Sequence, residues 1–424
     1  MIRFVRPGPV AALALALALS ACANEPSQWT YQDGIGRNPS GPSAAQFGQI
    51  GGGYLSANAY TWWQPLYSVD SFSRQDEIFA ANVVKRGPHV SPWKRAAKEP
   101  SYRYDGASQL GGRRHDLDGY LARNPTTSLI VAKDDTILVE RYQYARTDSH
   151  RFLSFSMAKT VTSMLMGLAV ADGKIRSIDD AAEVYEPRLA GTEYGKTPLR
   201  HLLTMSSGVQ FREDYDGADD ASRLTAATIG RRTSGGPEAV KLFNTRIAAP
   251  GERWYYASSE TQVLGVVLRA AIGRPLAEYL SERIWQPMGA ESDASWLSDA
   301  SGQEAVYSSF NAVARDYARF GMLLAKGGRA GERQLIPADW LALATRPHFS
   351  GRQTGRWYGY GFQTWIFPDN DGTFALLGVR GQTIFVDPAE RLVMVHTAVR
   401  PSGRDPGGAD TIALWRAVRT QSRI

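Results

Sequence analysis

A serine and a lysine three positions apart, Ser156 and Lys159, have the clearest potential for chemistry in this chain. On a helix, residues i and i+3 share one face, so this spacing can hold the hydroxyl against the amine. A lysine kept from water has a lowered pKa and can accept the proton of a neighbouring serine. The pair therefore predicts a nucleophilic serine whose base is a lysine and not a histidine.

Spacing alone does not single out this pair, because Ser91 and Lys94 have the same separation. Ser91 opens a short polar stretch that ends at a proline, whereas Ser156 precedes an apolar run without proline or glycine up to Gly167. That run has hydrophobic residues at near-helical spacing. A catalytic serine needs a rigid, buried helix behind it, and only Ser156 has one. The alternative for Ser156 is an ordinary polar residue at a helix start.

A candidate proton carrier lies in the segment Tyr256-Ala257-Ser258, just before an apolar helical run. A phenol there can pass a proton between the serine and a leaving group if the nearby lysine lowers its pKa. The Ser258 hydroxyl can hydrogen-bond the lysine or the substrate. Tyr255 is an equally suitable phenol by composition, so the residues alone leave this choice open.

A third element is the segment 378–382, Gly-Val-Arg-Gly-Gln, which precedes a predicted strand. Glycines at the start of a strand permit close approach of the backbone. A backbone N–H there, together with that of Ser156, would form an oxyanion hole. The alternative is a plain glycine turn between two strands.

The composition of the chain and the motifs that it lacks exclude several classes of function. The chain has 424 residues, a net charge of +6 and 43% hydrophobic residues, which suits a globular protein with a substantial core. It has no long run of lysine and arginine, so nucleic acid is not an expected partner. The α/β-hydrolase elbow Gly-x-Ser-x-Gly and the zinc motif His-Glu-x-x-His are both absent from the sequence. No metal and no organic cofactor is expected.

The N-terminus indicates export. Arg3 and Arg6 precede an apolar run over 10–19 that is too short for a comfortable membrane span. Leu-Ser-Ala-Cys follows, ending at Cys22, the only cysteine in the chain. This pattern is typical of a bacterial lipoprotein signal, in which Cys22 becomes the lipidated N-terminus. The alternative is a plain signal peptide with an incidental cysteine. Disulfides and cysteine catalysis are not expected.

The rest of the chain divides into three predicted parts. Residues 23–53 are rich in Gly, Ser, Pro, Asn and Gln and are predicted to be a flexible tether. Residues 54–112 form an aromatic-rich extension, which we expect to wrap onto the core rather than to present a ligand-binding face. Residues 113–424 carry the hydrolase domain, with a mostly helical lobe at about 176–300.

Within the hydrolase domain, alternation predicts a hairpin over 128–142 and helices after Ser156 and over 309–326. Four strands are predicted near the end, over 360–367, 373–377, 383–386 and 391–396, before a helix at about 409–419. The fold class is therefore α/β of the α+β type, with one antiparallel sheet flanked by helices plus a helical lobe. The crevice between the sheet with its flanking helices and the helical lobe is the expected substrate site.

Taken in order, these segments resemble one family. From about 113 to 400 the chain resembles the serine hydrolases related to class C β-lactamases and penicillin-binding proteins, and is most similar to the branch of 6-aminohexanoate-dimer hydrolase and β-lactamase-like esterases. The resemblance implies a β-lactamase/transpeptidase-like fold. The segments that carry it, in the family's order, are Ser154–Lys159, Ala171–Ile175, Leu199–Val209, Phe211–Tyr215, Tyr256–Ser258, Asp316–Gly321, Tyr358–Gln363 and Gly378–Gln382.

The resemblance implies roles for the site residues. Ser156 is the acylated nucleophile, with Lys159 as its partner. Tyr256 is preferred over Tyr255 because it opens the family's Tyr-x-Ser/Asn motif. Ser258 stands where relatives carry Asn or Ser.

The same resemblance extends to the substrate side of the site. Tyr215 matches a substrate-contacting tyrosine of the aminohexanoate branch. Gln382 follows Gly381, the glycine of the third motif, so its N–H is the implied second oxyanion donor.

The third motif departs from the family pattern. Relatives usually carry Lys-Thr-Gly or an equivalent with histidine, whereas this chain has Val379, Arg380 and Gly381. Two roles stay open for Arg380: it replaces the missing cation and binds a substrate carboxylate, or it points to solvent. Turnover of β-lactams is correspondingly less expected, because the usual cation meets their carboxylate.

The leading expectation is a lipid-anchored serine hydrolase of the bacterial cell envelope, on the periplasmic face of the outer membrane, that cleaves a small ester or amide through acyl-Ser156. One alternative is a penicillin-binding DD-peptidase or β-lactamase. Another is a non-catalytic binding protein on the same fold, which has no reason to keep Ser156, Lys159 and Tyr256 together. The sequence leaves the substrate and the oligomeric state open.

Overall fold

The computed structural model describes residues 28–106, 113–230, 235–403 and 407–422, so the predicted signal and Cys22 lie outside the described residues. The strands are β1 Thr30–Gln32, β2 Ile35–Arg37, β3 Gln49–Ile50, β4 Gly53–Tyr54, β5 Ala81–Val84, β6 Lys94–Arg95, β7 Arg103–Asp105, β8 Arg114–Asp116, β9 Thr126–Lys133, β10 Thr136–Tyr142, β11 Arg151–Leu153, β12 Ala294–Leu297, β13 Phe310–Val313, β14 Arg329–Ala330, β15 Arg333–Gln334, β16 Gly359–Tyr360, β17 Trp365–Ile366, β18 Phe374–Gly378, β19 Gln382–Asp387 and β20 Leu392–Ala398.

The helices are α1 Ser68–Ser71, α2 Gln75–Ile78, α3 Leu117–Leu121, α4 Ala158–Ala171, α5 Leu199–Leu203, α6 Asp220–Thr225, α7 Gly236–Lys241, α8 Ser258–Ile272, α9 Leu276–Leu280, α10 Ala314–Ala325, α11 Ala338–Ala344, α12 Gly351–Thr354 and α13 Gly407–Gln421. Within the described ranges, no helix has the length and apolar character needed to cross a membrane.

The main sheet has ten strands in the order β1-β2-β10-β9-β20-β19-β18-β17-β16, with β6 also paired to β10. The hairpin β9–β10 lies inside this sheet close to its predicted bounds, and β20 pairs antiparallel with β9. The predicted α+β class, a large sheet flanked by helices, is confirmed. The sheet is not wholly antiparallel, because β2 and β6 each pair parallel to β10.

A second, four-stranded sheet, β11-β13-β12-β5, was not predicted. The residues expected to form one helix over 309–326 form β13 followed by α10, and β12 lies inside the segment expected to be mostly helical. The extension supplies the edge strand β5, which pairs with β12 from Ala81 opposite Leu297 to Val84 opposite Ala294. Each strand is four residues or shorter, so sequence alternation gives only a weak signal for them.

The N-terminal segments differ in part from expectation. In the described part of the predicted tether, residues 28–53, the chain forms the β1–β2 hairpin, and β2 extends the main sheet at β10. Backbone pairing at the edge of an existing sheet requires few apolar side chains, which explains why composition suggested a tether. The aromatic extension packs onto the core, where Trp62 and Phe79 touch with ring centroids 5.9 Å apart.

Two residues from the recognised segments hold the helices and sheets together. Gln363 accepts a hydrogen bond from Thr261 of α8 at 2.7 Å and donates to Leu202 of α5 at 2.8 Å. Its backbone carbonyl accepts from Thr160 of α4 at 2.7 Å. Tyr317 of α10 donates to the carbonyl of Phe152 in β11 at 2.7 Å. The Gln363 bonds thus connect α4 to α5 and α8, and the Tyr317 bond connects α10 to β11.

We expect Gly167→Ala in α4 to lower the free energy of unfolding. A Cβ at this position would lie 2.3 Å from Cγ of the buried Trp340 in α11. Overpacking of this kind costs about 1–3 kcal/mol, partly offset by up to about 1 kcal/mol of improved helix propensity. Urea denaturation followed by circular dichroism measures the change.

Gly53→Ala is the matched control, since its Cβ would meet no heavy atom within 4 Å. An unchanged unfolding midpoint for Gly167→Ala would contradict the close packing of α4 on Trp340.

Candidate active site

Ser156 lies in a 3-10 turn, Phe155–Met157, between the end of β11 and the start of α4. The turn is anchored by Ser154, whose N–H donates to the carbonyl of Phe310 at 2.8 Å. The N–H of Phe310 donates to the Ser154 hydroxyl at 3.2 Å. Backbone and side chain of Ser154 thus tie the turn that carries the predicted nucleophile, called the nucleophile turn below, to β13.

Phe155, directly before Ser156, has a left-handed backbone with φ of 43°. This conformation is unfavourable for a non-glycine residue and persists only where the surroundings hold it. The Phe155 ring is buried and meets the ring of Phe72 at 5.0 Å and that of Trp63 at 5.7 Å, both edge-on. The aromatic extension therefore holds the strained residue next to the serine.

Lys159 is 1% exposed, and its Nζ donates three hydrogen bonds of 2.9 Å. The acceptors are the hydroxyls of Ser156 and Ser258 and the backbone carbonyl of Tyr307. An ammonium has three N–H donors, so this set occupies all of them. Burial lowers the pKa of Lys159 from 10.5 to about 8, while the negative charge of Glu213 acts in the opposite direction.

The three acceptors determine where a neutral lysine would receive a proton. A neutral amine keeps two N–H groups and gains a lone pair, so one partner must become a donor. The carbonyl of Tyr307 has no hydrogen, and the Ser258 hydroxyl donates its hydrogen to Glu213 at 2.7 Å. Of the three, Ser156 can donate, which is the orientation that a nucleophilic serine requires.

Glu213 is the site residue that sequence reasoning did not identify. Its carboxylate accepts from the Ser258 hydroxyl, the Ser258 N–H and the Tyr215 hydroxyl, each at 2.7 Å. Tyr215 has φ of 59° and so turns back towards the carboxylate. The signal was available, because Glu213 lies inside the recognised segment Phe211–Tyr215, but its partner Ser258 is 45 residues away in sequence.

The structure distinguishes the two adjacent tyrosines. Tyr255 is 42% exposed and stacks with Arg253. Tyr256 is half-buried, interacts through its side chain with Ser156, and has its ring centroid 5.0 Å from Nζ of Lys159. Burial, with the charge of Glu213, raises the pKa of Tyr256, and the bond to Ser156 partly opposes this. Tyr256 therefore keeps its proton at neutral pH and is suited to donate it.

The third motif approaches the nucleophile through its first residues. A Cβ on Gly378 would lie 2.3 Å from the carbonyl oxygen of Ser154, so only glycine allows β18 to end against the nucleophile turn. Val379 lines the same cavity as Ser156. The peptide N–H of Val379 is therefore an additional candidate oxyanion donor that the sequence analysis did not name. Gln382 is buried, its side chain paired with the backbone of Ala398, and its assignment as oxyanion donor stays a prediction.

Arg380 is 5% exposed, with φ of 61°, and its guanidinium lies 4.1 Å from the ring centroid of Trp63. Burial lowers the pKa of Arg380 to about 10. Its Nε and Nη1 atoms have no hydrogen-bond partner among the described residues. The side chain is thus stacked on the extension and does not extend to solvent. The neighbouring Gly381, with φ of 94°, accepts a hydrogen bond through its carbonyl from the buried His396 at 2.7 Å.

A cavity of about 270 Å³ opens beside Ser156. Glu213, Tyr215 and Ser258 lie on one side of it, and Trp62 and Trp63 of the extension on another. The competing pair from the sequence lies elsewhere, since the Lys94 side chain is 73% exposed and forms an ion pair of 2.7 Å with Asp135. The structure therefore brings together Ser156, Lys159, Tyr256, Ser258 and Tyr215 as the sequence predicted.

Comparison with known proteins confirms the predicted β-lactamase/transpeptidase-like fold. A family model described as Beta-lactamase matches residues 114–418. The chain is 25% identical over 354 residues to the 6-aminohexanoate-dimer hydrolase of Paenarthrobacter ureafaciens. The aligned region covers 80% of this chain and 88% of that protein.

Two solved structures show the same fold. One is "Putative 6-aminohexanoate-dimer hydrolase from Bacillus anthracis", with a TM-score of 0.75 and 24% identity over 86% of this chain and 95% of that chain. The other is "EstCE1, a hydrolase with promiscuous acyltransferase activity", with a TM-score of 0.57 and 17% identity over 70% of this chain and 94% of that one.

We expect Glu213→Gln to lower the pKa of Lys159 below its value of about 8, because the Glu213 charge favours the ammonium form. The measurement is an NMR pH titration of protein labelled with ¹³Cε-lysine. The Lys159 resonance is assigned by its loss in Lys159→Met.

Glu238→Gln makes the same change at a carboxylate that is 58% exposed and pairs only with Lys241 among the described ion pairs. It should leave the titration of Lys159 unchanged. A Lys159 pKa that stays constant or rises in Glu213→Gln contradicts the electrostatic link.

Proposed function

The chain belongs to the beta-lactamase family, and we propose that it is a serine hydrolase that cleaves an ester or amide bond through an acyl-Ser156 intermediate. The observation that carries the proposal is the buried amine of Lys159, 2.9 Å from the Ser156 hydroxyl and with a pKa lowered to about 8. A lysine in this state accepts a proton near neutral pH.

In the proposed acylation, Ser156 gives its proton to neutral Lys159 as its oxygen attacks the substrate carbonyl. The negative charge that forms on the carbonyl oxygen is held by the N–H of Ser156 and a second N–H from the third motif, of Val379 or of Gln382. Tyr256 then donates its proton to the leaving alcohol or amine, and the carbonyl–heteroatom bond breaks. Lys159 then returns its proton to the Tyr256 phenolate beside it, whose ring centroid lies 5.0 Å from Nζ, because the acylated Ser156 has no hydrogen to pass on.

In the proposed deacylation, water replaces the leaving group and attacks the acyl carbonyl. The same Lys159 and Tyr256 pair takes its proton, and the acid product leaves as Ser156 regains its hydrogen. Ser258 and Glu213 act as positioning residues in the acylation step, because their bonds leave Ser156 as the donor to the neutral lysine.

The proposed function includes both amide and ester substrates. Support for an amide comes from the similarity to the 6-aminohexanoate-dimer hydrolase. Esters are included because an ester forms an acyl-serine by the same steps. The DD-peptidase or β-lactamase alternative has less support, because Arg380 is stacked on Trp63 instead of lining the cavity. A purely binding role would not explain why Lys159 is buried against Ser156, where burial disfavours its charged form.

We further propose that the protein is anchored to the bacterial cell envelope through a lipid on Cys22. The support is the signal-like sequence that ends in Leu-Ser-Ala-Cys. Metabolic labelling with an alkyne fatty acid, compared between the natural sequence and Cys22→Ala, tests this. Absence of the fatty-acid label from the natural protein would contradict the proposal.

We expect Ser156→Ala to reduce hydrolysis of p-nitrophenyl esters and short amides by about 10³-fold or more and to abolish labelling by a fluorophosphonate probe, because the nucleophile is lost. Steady-state kinetics and in-gel fluorescence measure the two effects.

Ser91→Ala is the matched control, since Ser91 has the same spacing to a lysine but lies outside the cavity. It should behave as the natural protein does. Retained labelling or turnover in Ser156→Ala would refute the mechanism.

A further inference from the structure

We propose that the aromatic extension builds the acyl-binding wall of the cavity through Trp62 and Trp63, and that this cavity accepts an apolar acyl group that carries no negative charge. The inference rests on the proposed function, because it names the substrate class of the same site. It assigns a specificity role to a segment that lies outside the residues matched by the family, which begin at 114.

The two tryptophans are held rigidly enough to shape a pocket. The carbonyl of Trp62 accepts a hydrogen bond from Ser71 at 2.7 Å, and the two indole rings meet edge-on at 5.2 Å. The extension is joined to the nucleophile strand, where the N–H of Leu153 donates to the carbonyl of Phe72 at 2.8 Å. Trp63 also meets the Phe155 ring, so the wall and the serine share one support.

Arg380 fixes the position of this wall. Its guanidinium stacks on Trp63 at 4.1 Å and lies 5.6 Å from the Phe72 ring centroid. A cation over an aromatic face in a buried site is strongly attracted to the ring. Trp63 is therefore clamped between the third motif and the nucleophile turn, and Arg380 serves as a positioning residue for it.

The position of Tyr256 indicates which half of the substrate occupies the cavity. Ser156 and Val379 line it, whereas Tyr256, the proposed proton donor to the leaving group, is not among its described lining residues. The leaving group must lie near that proton donor. The cavity therefore receives the other half of the substrate, the acyl group.

The lining also defines the charge that the cavity accepts. Among the described lining residues, Glu213 is the sole charged side chain, and the rest are aromatic, aliphatic, small or hydroxyl-bearing. A carboxylate on the acyl group would enter an apolar space beside a like charge, with no cation in the lining to pair with it. A volume of about 270 Å³ gives room for roughly nine water-sized groups, which matches a medium-length acyl chain.

The first test compares p-nitrophenyl esters of increasing acyl length in the natural protein, Trp63→Ala and Trp63→Phe. Removing the indole should deepen the pocket, so the ratio of kcat/KM for long over short chains rises about tenfold in Trp63→Ala. Trp63→Phe keeps an aromatic wall and should stay near the natural ratio. Trp357→Ala, at an exposed tryptophan outside the cavity, is the control. A ratio in Trp63→Ala that matches the control overturns the proposal.

The second test does not depend on turnover. In the Ser156→Ala background, ligand-observed NMR measures binding of N-butylhexanamide and of the corresponding amide whose acyl chain ends in a carboxylate. We expect the neutral amide to bind, the carboxylate to bind at least about tenfold more weakly, and Trp63→Ala to weaken the neutral amide. Equal binding of the two amides, or an unchanged affinity in Trp63→Ala, refutes the proposal.

The two tests separate this inference from the proposed function. If the natural protein neither hydrolyses the esters nor reacts with the fluorophosphonate, the proposed function fails, yet the binding measurements still decide the nature of the cavity. If hydrolysis is normal but Trp63→Ala changes neither the chain-length preference nor the binding of the neutral amide, the proposed serine chemistry stands. The proposed acyl-binding role of the tryptophans is then refuted.

Discussion

The buried amine of Lys159 is the constraint on which the rest of the site depends. A lysine in a dry interior is tolerated only if its charge is weakened or its N–H groups are all hydrogen-bonded, and here both conditions hold. The fall in its pKa from 10.5 to about 8 corresponds to roughly 3 kcal/mol in favour of the neutral amine. The three acceptors come from the nucleophile turn, the start of α8 and the chain before β13, so the amine can stay dry only while these elements remain packed.

Two opposing effects set the protonation of this lysine. Burial disfavours its charge, and the carboxylate of Glu213, acting across Ser258, favours it. Burial is the larger effect, so the pKa of Lys159 falls to about 8. The opposing charge of Glu213 keeps the pKa from falling further. Glu213 also fixes the direction of the Ser258 hydroxyl. One carboxylate therefore controls both the charge of the base and the identity of its proton donor.

Sequence patterns predicted the parts of the molecule that local signals define. The β9–β10 hairpin, α4 and the pairing of Ser156 with Lys159 follow from alternation, helical spacing and short-range geometry. The second sheet was missed, because β5 and β12 meet across some 200 residues and each is only four residues long. Glu213 and the stacking of Arg380 on Trp63 were missed for the same reason, since their partners are distant in sequence.

The stacking of Arg380 also gives a physical reason for the altered third motif. A cation in this motif can either face the substrate or serve the protein, and a single guanidinium cannot do both. Here its left-handed backbone turns the side chain away from the cavity and onto Trp63. Trp63 in turn supports Phe155, which is strained beside Ser156. The Arg380 charge thus holds the extension against the turn that carries Ser156, so the extension contributes to the wall of the cavity.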